Sequence, residues 1–365
     1  MSEVLTVGGH PLTYGGFLLG FIDPNPLNLP AYTMRFLFDD LSYNPRFYGW
    51  GSFGTWTQVS SDPNIWDFTK TSLPTNWDNL FYYTDPFLPS DITSFEDVPG
   101  EILGANTSGV TSMVSTFKNA NKFRSVALFD TSSITDMGYM FEGCSTLTTV
   151  PQFDTRSVSN MHRMFYRCSS LSSVPLFNTA NVTNMSGMFN DCTSITTVPL
   201  FNTANVTSMS GMFNGCTSLT AVPLFDTGSV TDMAGMFNGC TAITTVPLFD
   251  TSNVTDMESM FRICGALVSV PLFNTVNVTS MYGMFYGCRS LVSIPLFSTS
   301  RVRKMPYMCY DCVSVESGAL ALYQQVSIQS PVPTHSDTFL YCGRFTTTGA
   351  AELAQIPASW GGTGS

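Results

Sequence analysis

A 24-residue repeat with no insertions runs through most of this chain. Its clearest marker is a cysteine that returns at that interval eight times in succession, at Cys144, Cys168, Cys192, Cys216, Cys240, Cys264, Cys288 and Cys312. Self-similarity at a fixed period of this length is typical of solenoids, whose coils stack because no single coil can bury its apolar face alone. The repeat therefore predicts a solenoid.

Methionine and phenylalanine keep the same register as the cysteine. In one coil Met185, Met188, Phe189 and Cys192 have the i, i+3, i+4, i+7 spacing of one helical face. The Pro-Leu-Phe segment at 199–201 has the composition of a short extended strand. We predict an α/β repeat solenoid of about nine 24-residue coils, each with short strands and a short helical turn.

The two ends of the chain lack the repeat. Residues 1–104 hold four of the five tryptophans, and alternating apolar residues at 33–38 and 65–69 predict strands. We expect residues 1–104 to form an aromatic-rich, acidic β domain that anchors or oligomerises the protein and covers the N-terminal end of the solenoid. The solenoid itself is predicted at 105–315.

Residues 316–365 are predicted to form a C-terminal cap, because the repeat motif decays there. Within it, residues 316–330 indicate a helix, and a loop with Pro331 and Pro333 follows. The final residues 361–365 have the composition of a flexible, linker-like end.

The repeat resembles the BspA-type leucine-rich-repeat surface proteins, which carry a Mycoplasma-lipoprotein-like repeat. The motif is Phe-Asn-Asp-Cys-Thr-Ser-Ile-Thr at 189–196 followed by Asn-Val-Thr-Ser-Met at 205–209. The resemblance covers about residues 105–315 and implies a leucine-rich-repeat-like, surface-displayed binding scaffold of unspecified ligand. Family members are usually secreted and often have a longer period, and this chain differs in both respects. Its two ends, at 5–16 and 349–357, are similar to repeat proteins encoded by gut bacteriophages.

The charge of the chain argues against some partners. Fifteen basic and 26 acidic residues give a net charge of −11, and only 11% of residues are charged. An acidic protein is a poor match for nucleic acid or anionic membrane. No apolar run is long enough to span a membrane, and we expect no signal peptide because Met1-Ser2-Glu3 offers no basic region.

The cysteines are predicted to be structural. A single-file column of thiols with no histidine beside it cannot supply a tetrahedral metal site, so we predict no metal and no cofactor. Cys309 and Cys312 form a CxxC pair that could bind zinc with Cys342, but a fourth ligand is missing. Whether Cys309 or Cys312 forms a disulfide with Cys342 stays open.

We predict that the protein is not an enzyme. It has three histidines far apart in sequence and none of the common catalytic motifs. The acidic residues that could serve a glycoside hydrolase are Asp39, Asp40, Asp62 and Asp67. Because a solvated acidic face or turn residues explain them better, a tail-associated glycan-degrading enzyme is kept only as an alternative.

Candidate binding residues lie at outward positions of the coils near the two ends of the solenoid. Tyr and Arg are the residue types enriched at interface hot spots. Near the N-terminal end they are His162, Arg163, Tyr166 and Arg167, with Tyr139 and Glu142 close by. Near the C-terminal end they are Tyr282, Tyr286, Arg289, Arg301, Arg303, Lys304, Tyr307 and Tyr310, with Arg262 close by. We expect all of them to project from the helical-turn side.

These features favour a non-enzymatic virion protein of a bacteriophage, such as a fibre, spike or decoration protein. Residues 1–104 would then bind other virion or surface proteins, and the solenoid would bind a host receptor or a glycan. Nucleic acid and membrane insertion are not expected, and a homo-oligomer is possible. The alternative is a bacterial cell-surface adhesin whose leader has been removed, so that the protein is extracellular.

Overall fold

The computed structural model consists mainly of a stack of coils that follows a small N-terminal sheet. It describes residues 6–7, 10–11, 13–14, 17–18, 33–37, 54–58, 65–70, 101–107 and 109–364. Among the helices of these residues the longest has nine residues, and none has the length and apolarity that crossing a membrane requires.

The N-terminal strands are short. β1 (Thr6–Val7) pairs with β2 (His10–Pro11), and β3 (Thr13–Tyr14) pairs with β4 (Phe17–Leu18), both antiparallel. Five further strands form one sheet in the order β6-β7-β5-β8-β9. They are β5 (Thr33–Leu37), β6 (Gly54–Gln58), β7 (Ile65–Lys70), β8 (Glu101–Ala105) and β9 (Ser125–Val126).

The sheet runs directly into the solenoid. The strands predicted at 33–38 and 65–69 are confirmed as β5 and β7, which pair antiparallel. β8 pairs antiparallel with β5 on one side and parallel with β9 on the other. Because β9 belongs to the first coil, the N-terminal sheet and the solenoid share one hydrogen-bonded network.

Successive coils are joined by backbone hydrogen bonds along one side. The N–H groups of Met185, Gly187 and Phe189 donate to carbonyls of the next coil at 3.1, 2.8 and 2.9 Å. One residue per coil forms a parallel bridge to its counterpart, in the order Ser112, Asp136, Asn160, Asn184, Ser208, Asp232, Asp256, Ser280, Lys304 and Thr334. The predicted repeat solenoid is confirmed by this ladder.

The helical turn predicted for each coil is wrong. The segment from Met185 to Cys192 contains successive hydrogen-bonded turns, in which Met188 N–H bonds the Met185 carbonyl and Cys192 N–H bonds the Phe189 carbonyl. Gly187 and Asp191 have φ values of 62° and 59°, in the left-handed region. A residue in that region interrupts a right-handed helix. Because each coil has two such residues, this segment forms two successive turns and no helix.

The short strand predicted for each coil is also wrong. The Pro-Leu-Phe segment at 199–201 has no strand pairing, and most coils contribute only single bridge residues. Proline has no N–H group to donate to a ladder, which leaves this side of the coil in irregular extended backbone. Among the described residues the only helices follow residue 318, so the α/β label does not apply to the coils.

The interior of the solenoid is a set of vertical columns, one side chain per coil. Each coil buries two Met, two Phe, one Cys, two Val or Ile and one Leu or Ile with few exceptions. The phenylalanine rings stack, with centroids 5.8 Å apart for Phe189 and Phe213 and 6.4 Å apart for Phe177 and Phe201. The apolar face that no coil could bury alone is thus covered by its neighbours.

The C-terminal end contains helices and one further coil. The helix predicted within 316–330 is confirmed as α1 (Ala319–Ser327). Thr334 then bridges Lys304, and the N–H groups of the preceding coil donate to the new one as elsewhere, so the register extends beyond residue 315. α2 (Thr347–Leu353) and a 3-10 helix (Ala358–Trp360) follow.

The end of the chain is packed rather than linker-like. The N–H groups of Gly362, Thr363 and Gly364 bond carbonyls of Pro357, Leu353 and Ile356. The prediction of a flexible end is therefore wrong for residues 361–364, because backbone hydrogen bonds hold what composition alone marks as a linker.

Candidate functional site

The cysteine column is buried and chemically quiet. Each repeat thiol donates to a phenylalanine carbonyl, as Cys192 Sγ does to the Phe165 oxygen at 3.0 Å. Burial raises the pKa of the thiols, in the case of Cys264 to about 12. In the described part of the chain no group of His, Cys, Asp and Glu is placed to hold a metal ion. The column therefore acts as core packing.

The three C-terminal cysteines are also free. Cys309, Cys312 and Cys342 are buried, and none forms a disulfide. Cys309 occupies the place that phenylalanine takes in other coils, and Cys342 continues the cysteine column in the last coil. The sequence left open whether these cysteines form a disulfide, and in the structure all three are free thiols.

The acidic residues considered for catalysis do not form a described site. Asp39, Asp40 and Asp62 lie outside the described residues. Asp67 lies in β7, whose backbone is described. A carboxylate pair at this end therefore stays a prediction.

We call the surface between the first Met and the Cys of each coil the turn face. Its outward side chains come from the positions one, two, five and six residues after that Met. The intervening Met, Phe and Cys point inward and are buried. Each coil therefore contributes one row of outward side chains to the turn face, and this row lies next to the equivalent row of the preceding coil.

At one end of the turn face lies the N-terminal cluster, formed by Tyr139, His162, Arg163, Tyr166 and Arg167. His162 Nε2 and the Tyr139 hydroxyl are 2.9 Å apart. The guanidinium groups of Arg163 and Arg167 lie 5.2 and 4.8 Å from the centre of the Tyr166 ring. Burial, and then the charge of Arg163, lower the pKa of His162. The structure therefore brings together the binding residues predicted at this end, whereas Glu142 forms an ion pair with Lys118 at 3.1 Å.

At the other end lies the C-terminal cluster, formed by Tyr282, Tyr286, Tyr307, Tyr310 and Tyr341. The rings of Tyr286 and Tyr310 stack with centroids 4.7 Å apart, and Tyr307 and Tyr341 each meet Tyr310 edge-on. Tyr341 escaped sequence analysis because it lies in the last coil, beyond the regular spacing. The Cys342 that follows it was the only sequence signal.

Arginines surround the C-terminal cluster. Arg262 lies 4.5 Å from the Tyr286 ring, and Arg344 lies 4.5 Å from the Tyr341 ring. Arg289 forms an ion pair with Asp311 at 2.7 Å. Arg344 approaches the same carboxylate at 3.6 Å and, like Tyr341, was missed from the sequence.

Three predicted site residues do not join this cluster. Arg301 Nη1 donates to Asn277 Oδ1 at 2.9 Å, and Arg303 Nη1 donates to the Val302 carbonyl. Within the described residues no ring contact or hydrogen bond links either arginine to the tyrosines. Lys304 is exposed in the bridge row beside the turn face. The expectation that Arg301, Arg303 and Lys304 project from the turn face is wrong, because they come from positions outside it.

Between the clusters lies a hollow of about 530 Å³ that we call the central trough. It exists because Gly187, Gly211 and Gly235 carry no side chain where other coils have Tyr139, Arg163 or Ser259. The sequence shows glycine at this position in three successive coils, but it does not show that these glycines line a recess. A recess needs tall neighbours on both sides, which only the stacking supplies.

The floor of the trough is polar and its ends carry opposite charges. The half-buried carboxamides of Asn190 and Asn214 make no hydrogen bond to any other described residue. Arg163 lies at one end, and Asp256 and Glu258 lie at the other. A ligand in the trough would meet free amide donors and acceptors between a cationic and an anionic end.

One protein family matches the chain over most of its length. It is described as "Mycoplasma protein of unknown function, DUF285", and it matches residues 91–198, 148–224, 196–297 and 220–322. The chain belongs to this family. The DUF285 matches overlap along the solenoid, as expected for a tandem array. No curated protein matches the chain.

Three solved structures resemble this DUF285 protein. A leucine-rich repeat protein from Eubacterium ventriosum is 15% identical, with 58% of this chain and 77% of that chain covered and a TM-score of 0.27. The TLR13–ssRNA13 complex is 10% identical, with coverages of 58% and 45% and a TM-score of 0.19. The Drosophila Toll–Spatzle complex is 13% identical, with coverages of 65% and 43% and a TM-score of 0.23. The chain spans less than half the length of the latter two.

Proposed function

We propose that this DUF285 protein is a non-enzymatic binding protein that holds an extended host receptor or glycan in its central trough. The observation that carries the proposal is the trough itself, a polar recess with His162 and Arg163 at one end and Asp256 and Glu258 at the other. Concave recesses with a few convergent polar groups are the usual form of ligand sites. Solenoids commonly bind through surfaces that extend across several repeats.

The clusters at the two ends would supply the strongest contacts. Tyr and Arg contribute much of the binding energy at interfaces because they combine apolar area with directional polar groups. Tyr166 lies under two guanidinium groups and Tyr286 under one, so these rings are held in place before a ligand arrives. Side chains that are already ordered lose less conformational entropy on binding.

A blocking substitution tests the proposal. Ala234 lines the trough, so Ala234→Arg should fill it, whereas Ala204→Arg places the same side chain on an exposed position elsewhere. The measurement is binding of the labelled protein to a glycan array and to a panel of intact bacterial cells. We expect binding by the parent to fall at least about 10-fold for Ala234→Arg only. Equal binding by both variants would contradict the proposal.

We further propose that the protein is displayed on a bacteriophage virion, with residues 1–104 attached to other particle proteins. The resemblance of the repeat to surface proteins and of both ends to phage-encoded repeat proteins supports this placement. Display on a bacterial cell is the alternative. Mass spectrometry of purified particles and of the cell-surface fraction distinguishes the two. Presence in the cell-surface fraction alone would exclude the virion.

A further inference from the structure

A row of leucines is exposed on the side of the solenoid formed by the Pro-Leu-Phe segments, each leucine being the middle residue of one segment. We call it the leucine stripe, and its side chains are 52–62% exposed. It consists of Leu176, Leu200, Leu224, Leu248, Leu272 and Leu296, one from each of six successive coils. Single exposed leucines are common on soluble proteins, but a continuous apolar row usually marks an interaction surface.

One side of the leucine stripe carries no charged residue that would repel another apolar surface. Three and four residues before each of these leucines stand only Ser, Thr, Ala or Val. Two residues after it stand Asn, Ser or Asp, with the carboxylates Asp226 and Asp250 in the two central coils. Proteins that avoid self-association normally place charged residues beside such rows.

We propose that the leucine stripe is the surface on which two copies of this chain pack side by side. A second copy carries the same row with the same coil-to-coil spacing, so the two rows can stay in contact along their whole length. A partner with another spacing would lose register after a few coils. The inference is independent of the ligand proposed for the central trough, which lies on the turn face.

The size of the stripe is sufficient for a dimer. Six leucines exposed by more than half present about 600 Å² of apolar surface, so two copies would bury about 1,200 Å², the lower limit for a stable specific interface. One two-fold pair buries the leucine stripes of both copies, so no stripe is left to bind a third copy and the assembly closes as a dimer.

The charges favour one orientation. If the copies run antiparallel about the centre of the stripe, Asp226 and Asp250 of each copy face those of the other. If they run parallel about an axis along the stripe, these carboxylates face the Ser and Thr hydroxyls of the second copy. Like charges placed opposite each other are unfavourable, so the parallel arrangement is the one we propose.

The stripe has defined ends. At the N-terminal end Gln152 takes the place of leucine, and its side chain donates to the Leu176 carbonyl beside a hollow of about 450 Å³. At the C-terminal end α1 follows, and Gln325 Nε2 donates to the Phe297 carbonyl. The apolar row is thus limited to six coils, which fixes the register of the two copies.

Sedimentation equilibrium of the full chain at concentrations up to about 100 μM tests the interface. The parent should be a dimer, and Leu224→Ser/Leu248→Ser should raise the dissociation constant at least about 10-fold. The matched control Ile263→Ser/Ile328→Ser removes two exposed isoleucines outside the stripe and should leave the dimer unchanged. A monomeric parent, or a dimer unaffected by the stripe variant, would overturn the proposal.

A cross-link tests the orientation. In the parallel pair Leu176 meets its own counterpart, so Leu176→Cys should give a covalent dimer under mild oxidation, whereas the buried native thiols should not react. In the antiparallel pair Leu176 lies opposite Leu296, and cross-linking only after mixing Leu176→Cys with Leu296→Cys would overturn the parallel arrangement. Flotation of the parent with phosphatidylcholine vesicles, lost in the Leu224→Ser/Leu248→Ser variant, would assign the stripe to a lipid surface and overturn the dimer.

Discussion

At the scale of single residues, the coil depends on two positions with left-handed backbone. Glycine fills them in several coils, as at Gly187 and Gly239, but other side chains occupy the same conformation elsewhere. Ile263 has φ 60°, and a β-branched residue is strained there because its Cβ crowds the backbone. The surrounding ladder of hydrogen bonds holds such residues in place.

The strain at Ile263 predicts a stabilising substitution. Ile263→Gly should raise the free energy of unfolding by about 1 kcal/mol, because glycine adopts positive φ without a steric cost. Urea unfolding followed by circular dichroism is the measurement. Ile263→Val keeps the β-branch and should give no gain, so equal stability of the two variants would contradict the explanation.

The buried thiols predict a loss of stability at alkaline pH. Burial raises the pKa of Cys264 from 9.0 to about 12 and raises the others as well. The unfolded chain therefore loses thiol protons above about pH 9 while the folded chain keeps them, so stability falls as pH rises. Each such thiol contributes a slope of about 1.4 kcal/mol per pH unit.

Urea unfolding between pH 8 and about pH 11 measures this slope. Cys216→Ala/Cys240→Ala removes two of the thiols and should make the fall shallower by about 2.7 kcal/mol per pH unit. An unchanged slope would show that these two thiols do not ionise preferentially in the unfolded chain.

At the scale of the element, the coil is stabilised by its neighbours rather than by secondary structure of its own. Phe213 is fully buried and its ring lies 5.8 and 5.7 Å from those of Phe189 and Phe237 in the coils on either side. Such stacked rings add directional contacts to the burial of apolar surface. A core side chain of a central coil therefore packs against its own coil and against the coils on either side.

This arrangement predicts a large effect from one ring. Phe213→Ala should lower the free energy of unfolding by about 3–5 kcal/mol, since it leaves a cavity between rigid neighbours. Phe345 is 73% exposed, and Phe345→Ala should change stability by less than about 0.5 kcal/mol. Similar values for the two variants, measured by urea unfolding, would contradict the stacked-core description.

At the scale of the whole molecule, a stack of similar coils needs a cover at each end. β8 joins the N-terminal sheet to the first coil, and α2 and the 3-10 helix follow the last coil. Trp360 is buried there, with its ring 3.8 Å from that of His335. The boundaries at residues 104 and 315 and the anchoring role of the N-terminal part stay predictions.

The C-terminal cover predicts the behaviour of a shortened chain. Deletion of residues 318–365 uncovers the buried Met305, Met308 and Cys312, and we expect aggregation because an apolar cross-section faces water. Light scattering during purification is the measurement. Trp360→Ala should lower the melting temperature without aggregation, and a soluble deletion variant with the melting temperature of the parent would contradict this role.

Much of the solenoid could be predicted because its repeat is strict. The register of Met185, Phe189 and Cys192 was enough to identify inward columns, and the C-terminal helix followed from composition. The helical turn was wrong because the sign of φ is invisible at residues such as Arg163, where no glycine marks it. The trough and the leucine stripe were missed because both depend on which neighbours stand above and below.

Sequence alone determined that the coils stack, that the thiols pack inside and that the ends differ from the middle. The reason is that apolar residues repeated in every coil are removed from water only when the coils stack on one another. Tertiary structure alone decided which outward residues meet. Residues 24 positions apart become neighbours only after stacking. For this reason the row of glycines forms a recess and the row of leucines forms a continuous apolar surface. Whether a position is recessed or exposed depends on the side chains at the same position in the neighbouring coils.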